Sequence, residues 1–171
     1  MSKTIDIMDI LKYFFNEPNR EFHLREISKI SKISPTTTSN YLNRLSKEGL
    51  IGKRTERNLV LYRANIENAI FREIKRHYNI IYIIKSELVE HINEELNFPE
   101  AIILFGSFAK AENIKGESDV DLFILSESKK QLDLKKYEKY LNAEIQTFVK
   151  TKKEFEIMKK KNKDLINNII N

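Results

Sequence analysis

Two aspartates and a glycine-serine step are the residues of this sequence best suited to chemistry. The stretch "LFGSFAKAENIKGESDVDLFIL" (104–125) places Gly106 and Ser107 after one apolar run, and Asp119 and Asp121 at the start of the next. Alternate side chains of a strand point the same way, so the two carboxylates share a face. Close carboxylates repel unless a cation lies between them, and Mg²⁺ prefers such oxygens. The pair therefore predicts a magnesium site.

The glycine-serine step predicts a phosphate-binding turn. Glycine lets the backbone turn tightly and approach a ligand. Ser107 then begins a short helical stretch whose first amides have no internal partner and attract phosphate. We assign Ser118, just before the aspartates, to the same site. A phosphate turn beside a carboxylate metal site predicts a site for Mg²⁺ and an NTP, with ATP as the expected substrate, where two cations would activate a hydroxyl and stabilise leaving pyrophosphate.

The flanking runs predict the strands and helices that position this site. "AIILF" (101–105) is typical of a strand buried on both faces. The helical "LDLKKYEKYL" precedes another strand, "AEIQTFV", and Thr151 with Glu154 predicts a capping box that opens a terminal helix. Lysines of that helix either touch nucleic acid or are solvated. In the aspartate strand, the side chains expected to pack on the other face are Val120, Leu122 and Ile124.

The amino-terminal half predicts three helices and a basic hairpin. Helix one covers 5–15, Leu24, Ile27 and Ile30 mark a short helix two, and the Ser34-Pro35 step caps helix three, which stops near Gly49. Hydroxyls and an arginine at a helix start can contact phosphates and base edges. The predicted DNA-contacting residues are Thr36, Thr37, Thr38, Asn40 and Arg44 of helix three, and Lys53, Arg54 and Arg57 of the hairpin.

Composition narrows the class of protein. The chain has 171 residues and no cysteine, which excludes disulfides, thiol nucleophiles and thiolate metal sites. Its three histidines are too scattered to indicate a zinc cluster. No apolar run of about 18 residues or cleavable leader is found, so we expect a cytoplasmic protein without a membrane partner. Residues 1–80 carry 15 basic and 9 acidic side chains. This excess of positive charge either favours binding of a polyanion or belongs to a solvated lysine-rich surface.

The predicted domains are a DNA-binding module at 1–65, connecting helices at 66–98 and a nucleotide module at 99–171. Apolar residues recur at helical spacing through the connecting segment, which reads as two helices or one bent helix. This stripe either packs on the second domain or forms the seam of a homodimer. Its members are Ile66, Ile70, Ile74, Ile81, Ile84, Leu88 and Ile92.

Both halves resemble known families. Residues 4–64, with three helices, a Ser-Pro opening and a basic hairpin, resemble winged helix-turn-helix domains, which bind double-stranded DNA or serve as protein-protein modules. "GSFAKAENIKGESDVDL" resembles the DNA polymerase β-like nucleotidyltransferases, in particular their minimal prokaryotic members, over residues 80–155. The small members often have glycine where this chain has Ala111.

The nucleotidyltransferase resemblance implies roles for single residues. Gly106 and Ser107 would hold the triphosphate, and Asp119 and Asp121 would bind the metals. The third carboxylate would come from the neighbouring strand, where Glu144 is the acidic residue; it is otherwise a surface residue. Such proteins often act as antitoxins that modify a partner of the HEPN type.

The sequence therefore predicts an α+β protein, with a winged helix followed by a polymerase-β-like domain on a small mixed sheet. The expected activity is Mg²⁺-dependent transfer of a nucleoside monophosphate from an NTP to an acceptor hydroxyl. The alternative is a transcription regulator whose inactive nucleotidyltransferase fold senses nucleotide. An antibiotic-modifying enzyme is a further class, against which the DNA-binding half argues.

Overall fold

The structure of the chain, a computed structural model, describes residues 6–161 and divides into two units, Met1–Ile74 and Lys75–Asn171. The elements of the first unit are α1 (Met8–Asn16), β1 (Phe22–His23), α2 (Leu24–Ser31), α3 (Pro35–Lys47), β2 (Ile51–Glu56) and β3 (Leu59–Ala64). Helix α4 (Ala69–Lys85) contains the unit boundary. The second unit continues with α5 (Leu88–Glu95), β4 (Ala101–Phe105), α6 (Gly106–Ala109), β5 (Val120–Leu125), α7 (Lys135–Leu141), β6 (Ile145–Lys150) and α8 (Lys152–Lys161).

The first unit has the predicted three helices and hairpin. Strands β2 and β3 pair antiparallel through a two-residue turn, and β1 pairs with β3 in a sheet of order β1-β3-β2. Arg57 and Asn58 form that turn with φ of 46° and 65°, the left-handed backbone that a tight hairpin requires. Phe14, Phe22 and Leu42 are fully buried. The sequence did not predict β1, whose two residues are too short to show alternation.

The predicted start of α3 is confirmed. Ser34 is its N-cap, and its hydroxyl oxygen accepts a hydrogen bond from the amide of Thr37 at 3.2 Å. Pro35 takes the first helical position, where its missing amide proton costs no hydrogen bond. Gly49 follows the helix with φ of +72°, a conformation that glycine adopts without a steric penalty.

The second unit contains the predicted mixed sheet. Its order is β4-β5-β6, with β4 antiparallel and β6 parallel to the central strand. Helix α7 lies in the crossover between the parallel strands, as such a connection requires. Val120, Leu122 and Ile124 point into the core together with residues of α5 and α7, so the predicted inward face of β5 is confirmed.

The connecting segment forms two helices, α4 and α5, which is one of the two predicted arrangements, and Glu87 between them has φ of 64°. The predicted apolar stripe of α4 is not its buried face: Ile70, Ile81 and Ile84 are 63%, 51% and 52% exposed. The buried positions repeat at intervals of four residues and are Phe71, Lys75, Asn79 and Ile83. Two of these are polar, which is why hydrophobic periodicity selected the other face; the homodimer stays a prediction.

The capping box before α8 is confirmed. The Glu154 amide donates to the Thr151 hydroxyl at 3.3 Å, and the Thr151 amide donates to the Glu154 carboxylate at 2.8 Å. The rest of the predicted terminal helix, from residue 162 onward, lies outside the described residues, as does residue 5 of helix one. Within 6–161 no helix is both long and apolar enough to cross a membrane.

Candidate nucleotide site and nucleic-acid interface

Gly106 lies directly against Asp121 at the point where β4 ends. The register pairs Phe105 with Asp121, so the next residue turns over the carboxylate. A Cβ on Gly106 would lie 2.2 Å from the Asp121 Oδ2 atom, and its φ is +68°. A side chain here would therefore displace the Asp121 carboxylate, and the left-handed backbone favours glycine.

The two aspartates lie together at the start of β5. Asp119 and Asp121 are half-buried and alternate along the strand, on the face opposite the core residues. Burial raises the pKa of Asp121 above its ordinary value, and the negative charge of Asp119 raises this pKa further. A cation between the carboxylates would relieve this repulsion, so the pair fits one Mg²⁺ that keeps its other positions for water and phosphate.

The neighbouring strand presents an amide to this pair. In the parallel register Gln146 of β6 lies opposite Asp121. Its Nε2 atom donates a hydrogen bond to Asp119 Oδ2 at 2.7 Å. Gln146 was not predicted because the register of β5 and β6 was unknown, although Gln146 lies two residues after Glu144 and therefore on the same side of an extended chain.

Among the described residues Glu144 is not grouped with the two aspartates into a three-carboxylate metal site, and its role as third ligand stays a prediction. Glu144 precedes β6, is exposed, and accepts the amide of Val120 through its backbone carbonyl at 2.8 Å. It lines an open surface cleft of about 600 Å³ with Asp119, Ser118 and Glu138, and Asp121 does not line this cleft. Among residues 6–161, no three His, Cys, Asp or Glu side chains are grouped to hold a metal ion.

Two serines complete the predicted nucleotide site. Ser107 follows Gly106 in the four-residue helix α6. The Ser118 oxygen accepts the amide of Ile114 at 2.9 Å, which closes the loop before the aspartates. The hydroxyl proton of Ser118 is not consumed by this bond and can still be donated to a ligand.

The loop between Ser107 and Asp119 contains a residue other than glycine with a left-handed backbone conformation. Ala111, which stands where the nucleotidyltransferase resemblance implied glycine, has φ of 59° and is 8% exposed. A left-handed conformation costs an L-residue about 1–2 kcal/mol. The chain thus keeps a glycine-like turn here without glycine.

Side chains of α4 that were not predicted as site residues bind this loop. Lys75 and Asn79 are 1% and 2% exposed. The Lys75 Nζ atom donates to the Asn113 carbonyl at 2.5 Å, and Asn79 Nδ2 donates to the Phe108 carbonyl at 2.8 Å. Polar residues spaced four apart on one helix were the pattern that could have revealed them.

The predicted DNA-contacting face of α3 is only partly exposed. Thr36 and Asn40 are exposed, whereas the Thr37 side chain is half-buried and accepts the Ser34 hydroxyl at 2.9 Å. Thr38 is 0% exposed, so its assignment as a DNA contact is wrong: it faces the core. Arg44 is exposed and pairs with Glu48 at 2.8 Å across one helical turn.

The predicted basic residues of the hairpin have different surroundings. Arg54 donates to both carboxylate oxygens of Glu21 at 2.5 Å and pairs with Glu56 at 2.7 Å, and these bonds raise the pKa of Arg54. Lys53 and Arg57 are exposed, and neither has an ion pair within the described part of the chain. Charge available to a phosphate is therefore greater at these two than at Arg54.

Comparison with known families assigns both units. A model described as a nucleotidyltransferase domain matches residues 85–171, half of the chain. This chain belongs to the nucleotidyltransferase domain family. A model described as winged helix-turn-helix DNA-binding matches residues 8–51. The nucleotidyltransferase domain therefore follows a winged helix-turn-helix domain, as the sequence predicted, and the α+β fold class is confirmed.

Two solved structures show weak similarity to this nucleotidyltransferase-family chain. Sso10a-2, a DNA-binding protein from Sulfolobus solfataricus, has 18% identity and a TM-score of 0.36 and covers 50% of this chain and 95% of its own. A possible transcriptional regulator from Methanosarcina mazei Go1 has 20% identity and a TM-score of 0.34 and covers 57% of this chain and 78% of its own. A comparison with curated proteins gives no match.

Proposed function

We propose that this chain is a DNA-binding regulator whose nucleotidyltransferase domain binds an NTP with Mg²⁺ as a signal. The observation that carries this proposal is the Gln146 amide, which bonds Asp119 at the edge of the site where the family resemblance implied a third carboxylate. Two carboxylates suffice for one Mg²⁺ held with substrate phosphates. A two-cation site has to hold a second ion as well, and at this edge the neighbouring strand offers the Gln146 amide instead of a carboxylate.

Each residue of the site has a role in binding. Gly106 allows the backbone to approach a triphosphate, and Ser107 offers a hydroxyl donor beside it. Asp119 and Asp121 would hold Mg²⁺, which when bound neutralises the phosphate charge. ATP is the NTP to test first.

The amino-terminal domain would supply the DNA contacts. Thr36 and Asn40 at the exposed front of α3 are available to a major groove, and Lys53 and Arg57 of the hairpin are available to the phosphate backbone. The basic excess of residues 1–80 would add a salt-dependent attraction to double-stranded DNA.

A second candidate function is nucleotide transfer. The intact Gly-Ser step, the aspartate pair and the family match favour it. The acceptor oxygen would bond to the α-phosphorus while the bond to pyrophosphate breaks, and the acceptor proton would pass to solvent. A HEPN-type partner, which the resemblance suggests, is one acceptor to test.

Incubation of the full chain with Mg²⁺ and α-labelled ATP separates the two functions. The regulator predicts saturable binding of Mg²⁺–ATP, no label on DNA or a HEPN-type protein, and a change in DNA affinity when Mg²⁺–ATP is added. Label on an acceptor would support transfer, and its loss in Asp121→Asn would place that activity at this site. Absence of any Mg²⁺–ATP binding would overturn both functions.

A further inference from the structure

Three side chains of α4 bind the segment 108–113, which lies between the Gly-Ser step and the aspartate pair. Each of the three side chains donates to a backbone carbonyl, and Asn79 also bonds a side chain of the segment. The bonds run from Lys75 Nζ to the Asn113 carbonyl at 2.5 Å, from Arg76 Nε to the Ala109 carbonyl at 2.8 Å, and from Asn79 Nδ2 to the Phe108 carbonyl and the Asn113 Oδ1 atom at 2.8 Å each.

Burial makes these bonds costly to lose. Lys75 and Asn79 are almost completely buried. Within the described residues Lys75 forms no ion pair, and the negative charge of Glu112 only partly offsets the loss of water around the lysine ammonium group. A buried donor that loses its acceptor has neither that hydrogen bond nor a bond to water, so its full desolvation cost remains. The segment is therefore held in one position relative to α4.

The held segment contains the left-handed Ala111. Strained backbone of this kind persists only where the surrounding structure over-determines it. The bonds from α4 lie on both sides of Ala111, at Phe108 and Ala109 before it and at Asn113 after it.

The segment is also tied to the glycine-serine step. The Lys110 amide donates to the Gly106 carbonyl at 3.1 Å, and the Glu112 amide donates to the Ser107 carbonyl at 2.9 Å. A shift of the turn at Ala111 would move these two amides, and with them Gly106 and Ser107.

We propose that Lys75 and Asn79 are positioning residues for nucleotide binding, which hold the strained Ala111 turn and thereby set Gly106 and Ser107 against the aspartate pair. The nucleotide part of this proposal rests on the proposed function. Since the held turn is strained only because residue 111 carries a side chain, glycine at this position should reduce the need for the α4 bonds.

A double-mutant cycle on the full chain tests this proposal. Asn79→Ala should weaken Mg²⁺–ATP binding about tenfold, an effect within the range of coupled neighbours, and clearly less when combined with Ala111→Gly. Lys85→Met is the matched control, because Lys85 is an exposed lysine of the same helix, and it should leave affinity unchanged. Equal losses in both backgrounds, or no loss at all, would overturn the proposal. If Asn79→Ala fails to fold, Lys75→Met replaces it in the same double-mutant cycle, because methionine keeps the bulk of the lysine side chain.

Hydrogen exchange separates this proposal from the nucleotide assignment. The amides of Lys110 and Glu112 should exchange faster in Asn79→Ala than in the wild type, and Ala111→Gly should reduce the difference. A wild-type protein that binds no Mg²⁺–ATP would defeat the proposed function, while faster exchange would still support the hold of α4 on the loop. Unchanged exchange would overturn that hold whatever the nucleotide result.

Discussion

Replacement of Gly106 by alanine tests the geometry of the candidate site most directly. The new Cβ would lie 2.2 Å from the Asp121 Oδ2 atom and 3.1 Å from its Cγ atom. The carboxylate must therefore rotate away from the position in which it faces a cation with Asp119. The change adds one methyl group and no charge, so any effect on metal binding comes from this displacement.

The expected cost has two parts. Alanine at φ of +68° loses about 1–2 kcal/mol of stability because its Cβ approaches the backbone in the left-handed conformation. Forcing the Asp121 side chain out of its rotamer adds about 0.5–1.5 kcal/mol. Alanine also stiffens the unfolded chain, which offsets about 0.4–1 kcal/mol of this loss.

Gly116→Ala is the matched control in the same unit. Gly116 has φ of +79°, and its added Cβ would meet only the end of the Asn142 side chain at 3.2 Å. It therefore shares the conformational cost and the unfolded-state offset of Gly106→Ala. The difference in unfolding free energy between the two variants should be the cost of moving the carboxylate, about 0.5–1.5 kcal/mol.

Denaturant unfolding measures the stability of each variant. Electron paramagnetic resonance measures the binding of Mn²⁺, a paramagnetic substitute for Mg²⁺. We expect Gly106→Ala to be the less stable variant and to lose Mn²⁺ binding in the presence of ATP, while Gly116→Ala folds with the metal affinity of the wild type. Wild-type Mn²⁺ affinity in Gly106→Ala, or equal stability of the two variants, would refute the argument that glycine is needed to place Asp121.

Three further changes have defined outcomes. Asp121→Asn should abolish Mn²⁺–ATP binding yet stabilise the metal-free protein at pH 7. Burial raises the pKa of Asp121 in the folded state, so the wild type loses stability as the pH rises through this pKa range, and the gain of the variant should vanish in acid. A variant that is less stable than the wild type at pH 7 would contradict this. Burial lowers the pKa of Lys75 to about 8 in the folded protein, so the unfolded chain binds more protons between pH 8 and 10.5. The unfolding free energy of the wild type should therefore rise by about 1.4 kcal/mol per pH unit relative to Lys75→Met in this range. Parallel pH profiles of the two proteins would exclude a lowered pKa of Lys75. Arg57→Ala should weaken DNA binding and lower its salt dependence by about one unit of slope, more than Arg54→Ala, which removes a charge already paired with carboxylates; equal effects would remove the distinction.

Local chemistry made much of this fold predictable. Ser34 before Pro35 predicted a helix start, and Thr151 with Glu154 predicted another, because capping is decided by residues within one turn. The alternation of Asp119 and Asp121 predicted their shared face for the same reason, since side-chain direction in a strand depends on position alone.

Contacts distant in sequence were harder to predict. Whether Glu144 or Gln146 stands opposite Asp121 depends on the pairing of β5 and β6, which no local pattern specifies. The inward face of α4 could not be predicted because Lys75 and Asn79 satisfy carbonyls of a loop far along the chain, and hydrophobic periodicity assigns polar residues to the surface. Thr38 was misplaced because a short hydroxyl side chain reads as polar although the core accepts it.

The Gln146 amide beside Asp119 has a consequence for how this site can change over time. Glutamine and glutamate codons differ only in their first base, so a single nucleotide substitution would exchange this hydrogen-bond donor for a carboxylate. An opposite substitution would restore the amide. The chain is therefore one genetic step from a site with a third acidic side chain, and a lineage carrying it can move between the two forms without altering the strand, the register or the turn at Gly106.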